Sequence, residues 1–158
     1  KENTLRSGTS VLLQTVPIDP RSLLQGDYAI LDYEIAELPN FAKGTPEGTK
    51  FYVELFEDGD GLWRSTGYLY EKPGSDRVFI AGTVKSNGRL EFGIDTFFLS
   101  EGSGRLVETA RDVKVKVSVD DNGMAVIEDL IVDGFPFDPD RPPSTPMKEP
   151  PPPPQRQP

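Results

Sequence analysis

The segment Val113-Lys-Val-Lys-Val-Ser-Val119 alternates strictly between apolar and polar residues. A period of two puts four valines on one side of an extended chain and Lys114, Lys116 and Ser118 on the other. This is the pattern of a half-buried strand and not of a helix. Asp120-Asp-Asn-Gly123 follows with turn chemistry, and Met124 to Val132 returns as an apolar strand. Together they predict an antiparallel hairpin, the clearest in the chain.

The same reading extends upstream. Strands are expected at Ser10–Val16, Asp27–Ala36, Lys50–Phe56, Leu62–Tyr70, Arg77–Val84 and Arg89–Gly93. Between them lie three turn segments, Glu57-Asp-Gly-Asp-Gly61, Lys72-Pro-Gly-Ser-Asp76 and Ser86-Asn-Gly88. Short strands at this spacing predict a mostly β domain, an antiparallel barrel or sandwich, with one or two short helices. One helix is expected at Asp19-Pro20-Arg-Ser-Leu-Leu24, where an acid can cap, proline can open and Gly26 can stop it. The other is expected at Ser103–Arg111, where Leu106, Val107 and Ala110 share a helical face. No repeat of fixed period occurs.

Composition bounds the chemistry. Among 158 residues there is no histidine and no cysteine, which removes disulfides, thiol nucleophiles, imidazole or thiolate metal sites and any Ser-His-Asp triad. Only 35% of residues are hydrophobic, so nine Phe, five Tyr and one Trp must carry much of the core. The formal charge of −9 disfavours phosphate backbones and anionic lipid surfaces. No run of 18 apolar residues occurs, so no segment reads as a membrane-spanning helix, and no signal-peptide pattern is present. The abrupt start at Lys1 reads as a trimmed product whose export signal or anchor has been removed.

Composition changes after Phe137, the last aromatic. Ten of the twenty residues from Pro139 to Pro158 are proline, and Met147 is the one strongly apolar residue there. Such a tail is expected to stay extended as polyproline II, reaching ~60 Å. It contains Pro143-Ser-Thr-Pro146, for which a spacer is favoured over a signalling ligand. Residues 1–138 form the expected single domain and hold 24 acids and 14 bases, so the acidity belongs there.

Two stretches carry a resemblance. The first is Gln14 to Ile35, which contains Gly26-Asp27-Tyr28-x-x-Leu31-x-Tyr33. The second is Phe92-Gly-Ile-Asp-Thr-Phe-Phe-Leu-Ser-Glu-Gly-Ser-Gly-Arg-Leu-Val-Glu108, and Leu130-Ile-Val-Asp-Gly134 closes the pattern. The chain resembles the bacterial GDYxxLxY-motif family over nearly the whole expected domain. Ser100 departs from it where many members are expected to carry proline, and the proline tail is outside the pattern. The resemblance implies a membrane-anchored envelope protein, often encoded beside a multi-pass membrane protein, with no assigned catalytic activity. It implies a location on the extracytoplasmic face of the cell membrane or in the periplasm.

The residues themselves leave both structural and functional readings. Gly26-Asp27 suits a turn before a strand. Leu31, Tyr33 and Ile35 share one face, so Tyr28 either faces the other side or is displaced by a bulge. Tyr28 and Asp27 are candidates to line a pocket, with Arg21 joining Asp27 at its rim; the plainer alternative makes Asp19 a cap and Arg21 a locally paired cation. Glu101 and Glu108 bracket Gly102-Ser-Gly104 and are candidates for an acid-base or cation-holding pair, against a plainer role in pinning the loop. The candidate ligand-binding set is therefore Arg21, Asp27, Tyr28, Tyr33, Glu101 and Glu108.

Other motifs fail on spacing. Glu57–Gly61 resembles the start of a calcium loop, but counting from Asp58 puts Leu62 at position 5 and Leu69 at position 12, so a hairpin turn is preferred. Gly102-Ser-Gly104 has neither a P-loop lysine nor GxGxxG spacing. A Ser22 nucleophile with Lys43, Lys50 or Lys85 as base lacks any supporting lysine motif. The expected function is a non-catalytic, membrane-anchored ectodomain that binds a protein or small ligand, with a neighbouring membrane protein as partner and no cofactor, metal or nucleic acid. The alternative is a carboxylate hydrolase acting on an envelope polymer or glycan, which requires Asp27, Glu101 and Glu108 to converge.

Overall fold

A computed structural model describes residues 8–16, 24–25, 28–38, 41, 44–74, 76–86, 88–99, 107 and 110–137. The described strands are β1 (Thr9–Gln14), β2 (Leu24–Gln25), β3 (Tyr28–Ile30), β4 (Lys50–Glu57), β5 (Trp63–Leu69), β6 (Phe79–Val84), β7 (Leu90–Glu91), β8 (Thr96–Phe98), β9 (Val113–Val119), β10 (Ala125–Val132) and β11 (Phe135–Pro136). They form three antiparallel sheets, in the orders β1-β9-β10-β11, β2-β3-β8 and β5-β4-β6-β7. No sheet closes into a barrel among the described residues, and the arrangement is sandwich-like.

The predicted hairpin is the β9–β10 pair, and its alternation supplies the core. Val113, Val115, Val117 and Val119 are buried, while Lys114 and Lys116 face outward. Ser118 departs from the simple alternation, because it too is fully buried. β1 lies along the other side of β9, pairing Val11 with Val117 and Leu13 with Val115. A bulge at Glu128 shifts the β9–β10 register between Ile127 and Asp129. Against these valines pack Phe51, Val53 and Leu55 of β4 and Ile80 and Val84 of β6 in one continuous core. Each such side chain contributes about 1.5–3 kcal/mol on burial.

Two close approaches set the fit between elements. A Cβ on Gly82 would lie 2.7 Å from the Phe51 ring and 2.9 Å from Phe92, so glycine lets both rings meet over β6. In the β9–β10 turn Gly123 has φ of +83°, and its carbonyl accepts a 2.9 Å hydrogen bond from the Ala81 amide of β6. The turn of the first sheet is thereby fastened to the third. Lys72 adds a 2.7 Å hydrogen bond to the Asn122 side chain.

The strand bounds at Lys50–Phe56, Leu62–Tyr70, Arg77–Val84 and Arg89–Gly93 hold to within about two residues, the usual ambiguity at strand ends. Two expectations are corrected. The strand expected from Asp27 to Ala36 pairs regularly only over β3, then ends in a 3-10 turn at Glu34–Ala36. The chain changes partners along this stretch: the Leu31 amide donates to the Asp95 carbonyl, whereas the Asp32 carbonyl accepts from Val16 and Tyr33 bridges to Thr15. The helix expected through Leu24 does not reach that residue, because Leu24 and Gln25 pair as a strand with Ala29 and Tyr28. Residues 19–23 lie outside the described residues. Of the second expected helix, Val107 is helical and fully buried, and the Ala110 amide donates to its carbonyl at 3.1 Å. The proline tail lies outside the described residues.

Candidate functional site

The two signature stretches meet side by side. β3 pairs with β8 through Tyr28 with Phe98, Ala29 with Phe97 and Ile30 with Thr96. Alternation along the first stretch sends Ala29, Leu31 and Tyr33 inward, all buried, and the 3-10 turn that follows buries Ile35. Tyr28 accordingly faces the other side, which decides between the two alternatives for that residue without a bulge.

Tyr33 belongs to the packed interior. It is 2% exposed, and its hydroxyl donates a 2.6 Å hydrogen bond to the Ile94 carbonyl. Burial, with the neighbouring Asp95 carboxylate, pushes this phenol well above the usual tyrosine value. As a candidate ligand contact Tyr33 is therefore poorly placed, since its polar atom is committed inside the domain. Asp95 holds the turn beneath it. Its carboxylate accepts from the Phe92 amide at 3.2 Å and the Ile94 amide at 3.1 Å. Burial raises the Asp95 carboxyl against the opposing effect of these hydrogen bonds, and Glu91 adds to the rise.

On the outward side of the same sheet, Tyr28 is 48% exposed and Phe98 is 59% exposed. Their rings meet edge to face with centroids 5.4 Å apart. Phe98 was not a candidate residue. The signal for it was present, because an aromatic strand following Phe92-Gly-Ile-Asp95 must put one of Phe97 and Phe98 on each face. Phe97 turns inward and packs on Phe137 with centroids 6.5 Å apart.

A sequence model of the GDYXXLXY protein family matches residues 1–130. The chain belongs to the GDYXXLXY family. No curated protein and no solved structure matches the chain. In this GDYXXLXY domain the motif positions divide by face. Leu31 and Tyr33 build the core, Tyr28 stays at the surface, and Gly26 and Asp27 lie outside the described residues. The candidates Arg21, Glu101 and Glu108 lie outside them too, so the convergence required for a carboxylate pair falls on residues that are not described.

Two clefts flank the signature strand. The larger, of about 320 Å³, lies between the end of β1, Ile30 to Glu34, Leu62, Arg64 and the Ala110–Val113 stretch. The smaller, of about 220 Å³, lies between Ile30, Leu31, Asp95 and the Lys85–Glu91 hairpin. The Arg89–Asp32 ion pair joins the side chains of one cleft to those of the other. In the smaller cleft Lys85 is raised by its hydrogen bond from Nζ to Glu91 and by the charge of that carboxylate. At the larger one, Arg64 reaches Asp58 and Asp60 at 2.8 Å and Glu34 at 3.3 Å. Thus the acidic Asp58–Gly61 segment is a β4–β5 hairpin turn whose two aspartates face an arginine. Hydrogen bonding from Arg64 and from the Gly59 amide holds Asp58 below the usual carboxylate range. No helix among the described residues is long and apolar enough to cross a membrane.

Proposed function

We propose that this chain is the ectodomain of a membrane-anchored bacterial envelope protein, that it performs no reaction of its own, and that it binds a protein partner through the outward face of the β2-β3-β8 sheet. The observation that carries this reading is the exposed Tyr28–Phe98 pair. Both rings come from the signature stretches, and both remain in water although their strand neighbours Ala29 and Phe97 turn to the core on the opposite face. Paired aromatic rings offer a large, rigid contact surface at small entropic cost and are favoured anchors of protein interfaces. The neighbouring membrane protein is the proposed partner.

The test is capture from membranes with the intact anchored protein, against an anchor-only control and a Tyr28→Ser/Phe98→Ser double variant. The reading expects a membrane protein enriched by the intact protein and lost with the double variant. Equal capture by all three samples sinks it.

A further inference from the structure

The larger cleft has a chemistry separate from the aromatic face, since neither Tyr28 nor Phe98 lines it. Val16, Ile30, Leu31, Leu62, Ala110 and Val113 give its lining an apolar share, beside polar and charged residues. Its volume of about 320 Å³ falls at the small end of ligand pockets, roughly 300–1,000 Å³.

The charges at its rim are unequally committed. Asp32 is paired with Arg89, Glu34 with Arg64, and Asp112 with Lys114. Gln14 also donates to Asp112 at 2.8 Å. Burial alone would raise the Asp112 carboxyl, but the hydrogen bonds from Lys114 and Gln14 hold it low. Arg64 is shared among three carboxylates. Arg111 also lines this cleft and is exposed, and its guanidinium has no ion-pair or hydrogen-bond partner among the described residues.

The backbone that carries Arg111 is fixed in place. Asp133 Oδ1 accepts from both the Arg111 and Asp112 amides at 2.9 Å, and the Asp133 amide donates to the Asp112 carbonyl at 2.8 Å. Asp133 does this from a φ of +50°, the one left-handed residue other than glycine among the described residues. Such a conformation is strained for a residue with a side chain and persists where the surroundings hold it.

We infer that this cleft is a binding site for a small ligand with an apolar body and a carboxylate, the carboxylate paired with Arg111. A guanidinium fork matches a carboxylate through two parallel hydrogen bonds. The acidity of the domain as a whole does not prevent this, because charges beyond ~8 Å are largely screened at physiological salt and the nearby acids already have partners.

The test uses the full chain, uniformly 15N-labelled, titrated with N-acetyl-leucine and with its neutral analogue N-acetyl-leucinamide. The expected result is amide shifts at Gln14–Val16, Ile30–Asp32 and Ala110–Val113 with the acid, and binding weaker by about tenfold for the neutral analogue. Arg111→Gln is expected to weaken the acid by about the same factor, whereas Arg77→Gln, whose guanidinium pairs with Glu54 elsewhere, leaves it unchanged. Absence of shifts with both compounds overturns the assignment. So do shifts confined to other residues, or equal binding by Arg111→Gln and the unaltered chain. None of these outcomes depends on capture of a membrane partner, so this site and the aromatic face stand or fall apart.

Discussion

The Tyr33 hydroxyl donates its hydrogen bond to the Ile94 carbonyl, 61 residues further along the chain. One signature stretch thereby fastens the other from inside the core. This joins residues that look like two independent motifs in the sequence into one packing unit, and it gives the final tyrosine of the motif a role that phenylalanine cannot fill.

Tyr33→Phe should destabilise the domain by about 1–3 kcal/mol, since a buried acceptor loses its donor. The loss should also depend on pH. The folded phenol lies well above the ordinary value of 10.0 that the unfolded chain restores. A raised folded value contributes stability that is complete below pH 10 and disappears as pH rises toward the folded value. Urea titrations from pH 8 upward should show an alkaline decline that is shallower in Tyr33→Phe.

Asp95 separates charge from hydrogen bonding. Asp95→Asn keeps an oxygen for the Phe92 and Ile94 amides and removes a partly buried charge, so it should hold or raise stability at neutral pH. Asp95→Ala leaves both donors without that acceptor and should cost about 1–3 kcal/mol. The sign follows from the raised carboxyl: its favourable contribution is present at low pH and is lost as pH rises through the folded value. The stability difference between the unaltered chain and Asp95→Asn should therefore shrink on acidification.

Gly123→Ala should be damaging for two reasons. A side chain there must adopt φ near +83°, and its Cβ would lie 2.9 Å from the Ala81 amide nitrogen, which is backbone and cannot swing away. A loss of about 2 kcal/mol or more is expected from denaturant unfolding.

Single changes at the aromatic face should behave differently. Tyr28→Ser and Phe98→Ser act on rings already about half in water, and a double-mutant cycle should return a coupling of about 0.5–1.5 kcal/mol. Partner capture should fall far more than stability does.

What the sequence made legible was local. The β9–β10 hairpin follows from a period of two and a turn, both visible within a short window. The inward facing of Leu31 and Tyr33 follows from the same period, whereas Ile35 is buried from a 3-10 turn. The failures have one cause, which is competition for backbone partners outside the window that carries the pattern. Asp19-Pro20 has sound helix-start chemistry, yet Leu24 is taken by pairing with Ala29. The first signature strand loses regularity after Ile30 because its backbone groups turn from β8 toward β1. Asp133 and Arg111 were invisible as a unit because their link spans 22 residues and two elements. Tyr28 was legible as a candidate, but its companion Phe98 needed the β3–β8 register to be known.

The bond between Gly123 and Ala81 has a consequence for how the molecule meets its neighbours. β7 pairs with only Thr83 and Val84, so the amide of Ala81 stands where that pairing has already stopped. With the hairpin tip seated there, the position is capped from within the same chain. A stray strand from another copy finds no open rung at Ala81, and the domain is guarded there against the edge-to-edge stacking that crowded β proteins must avoid.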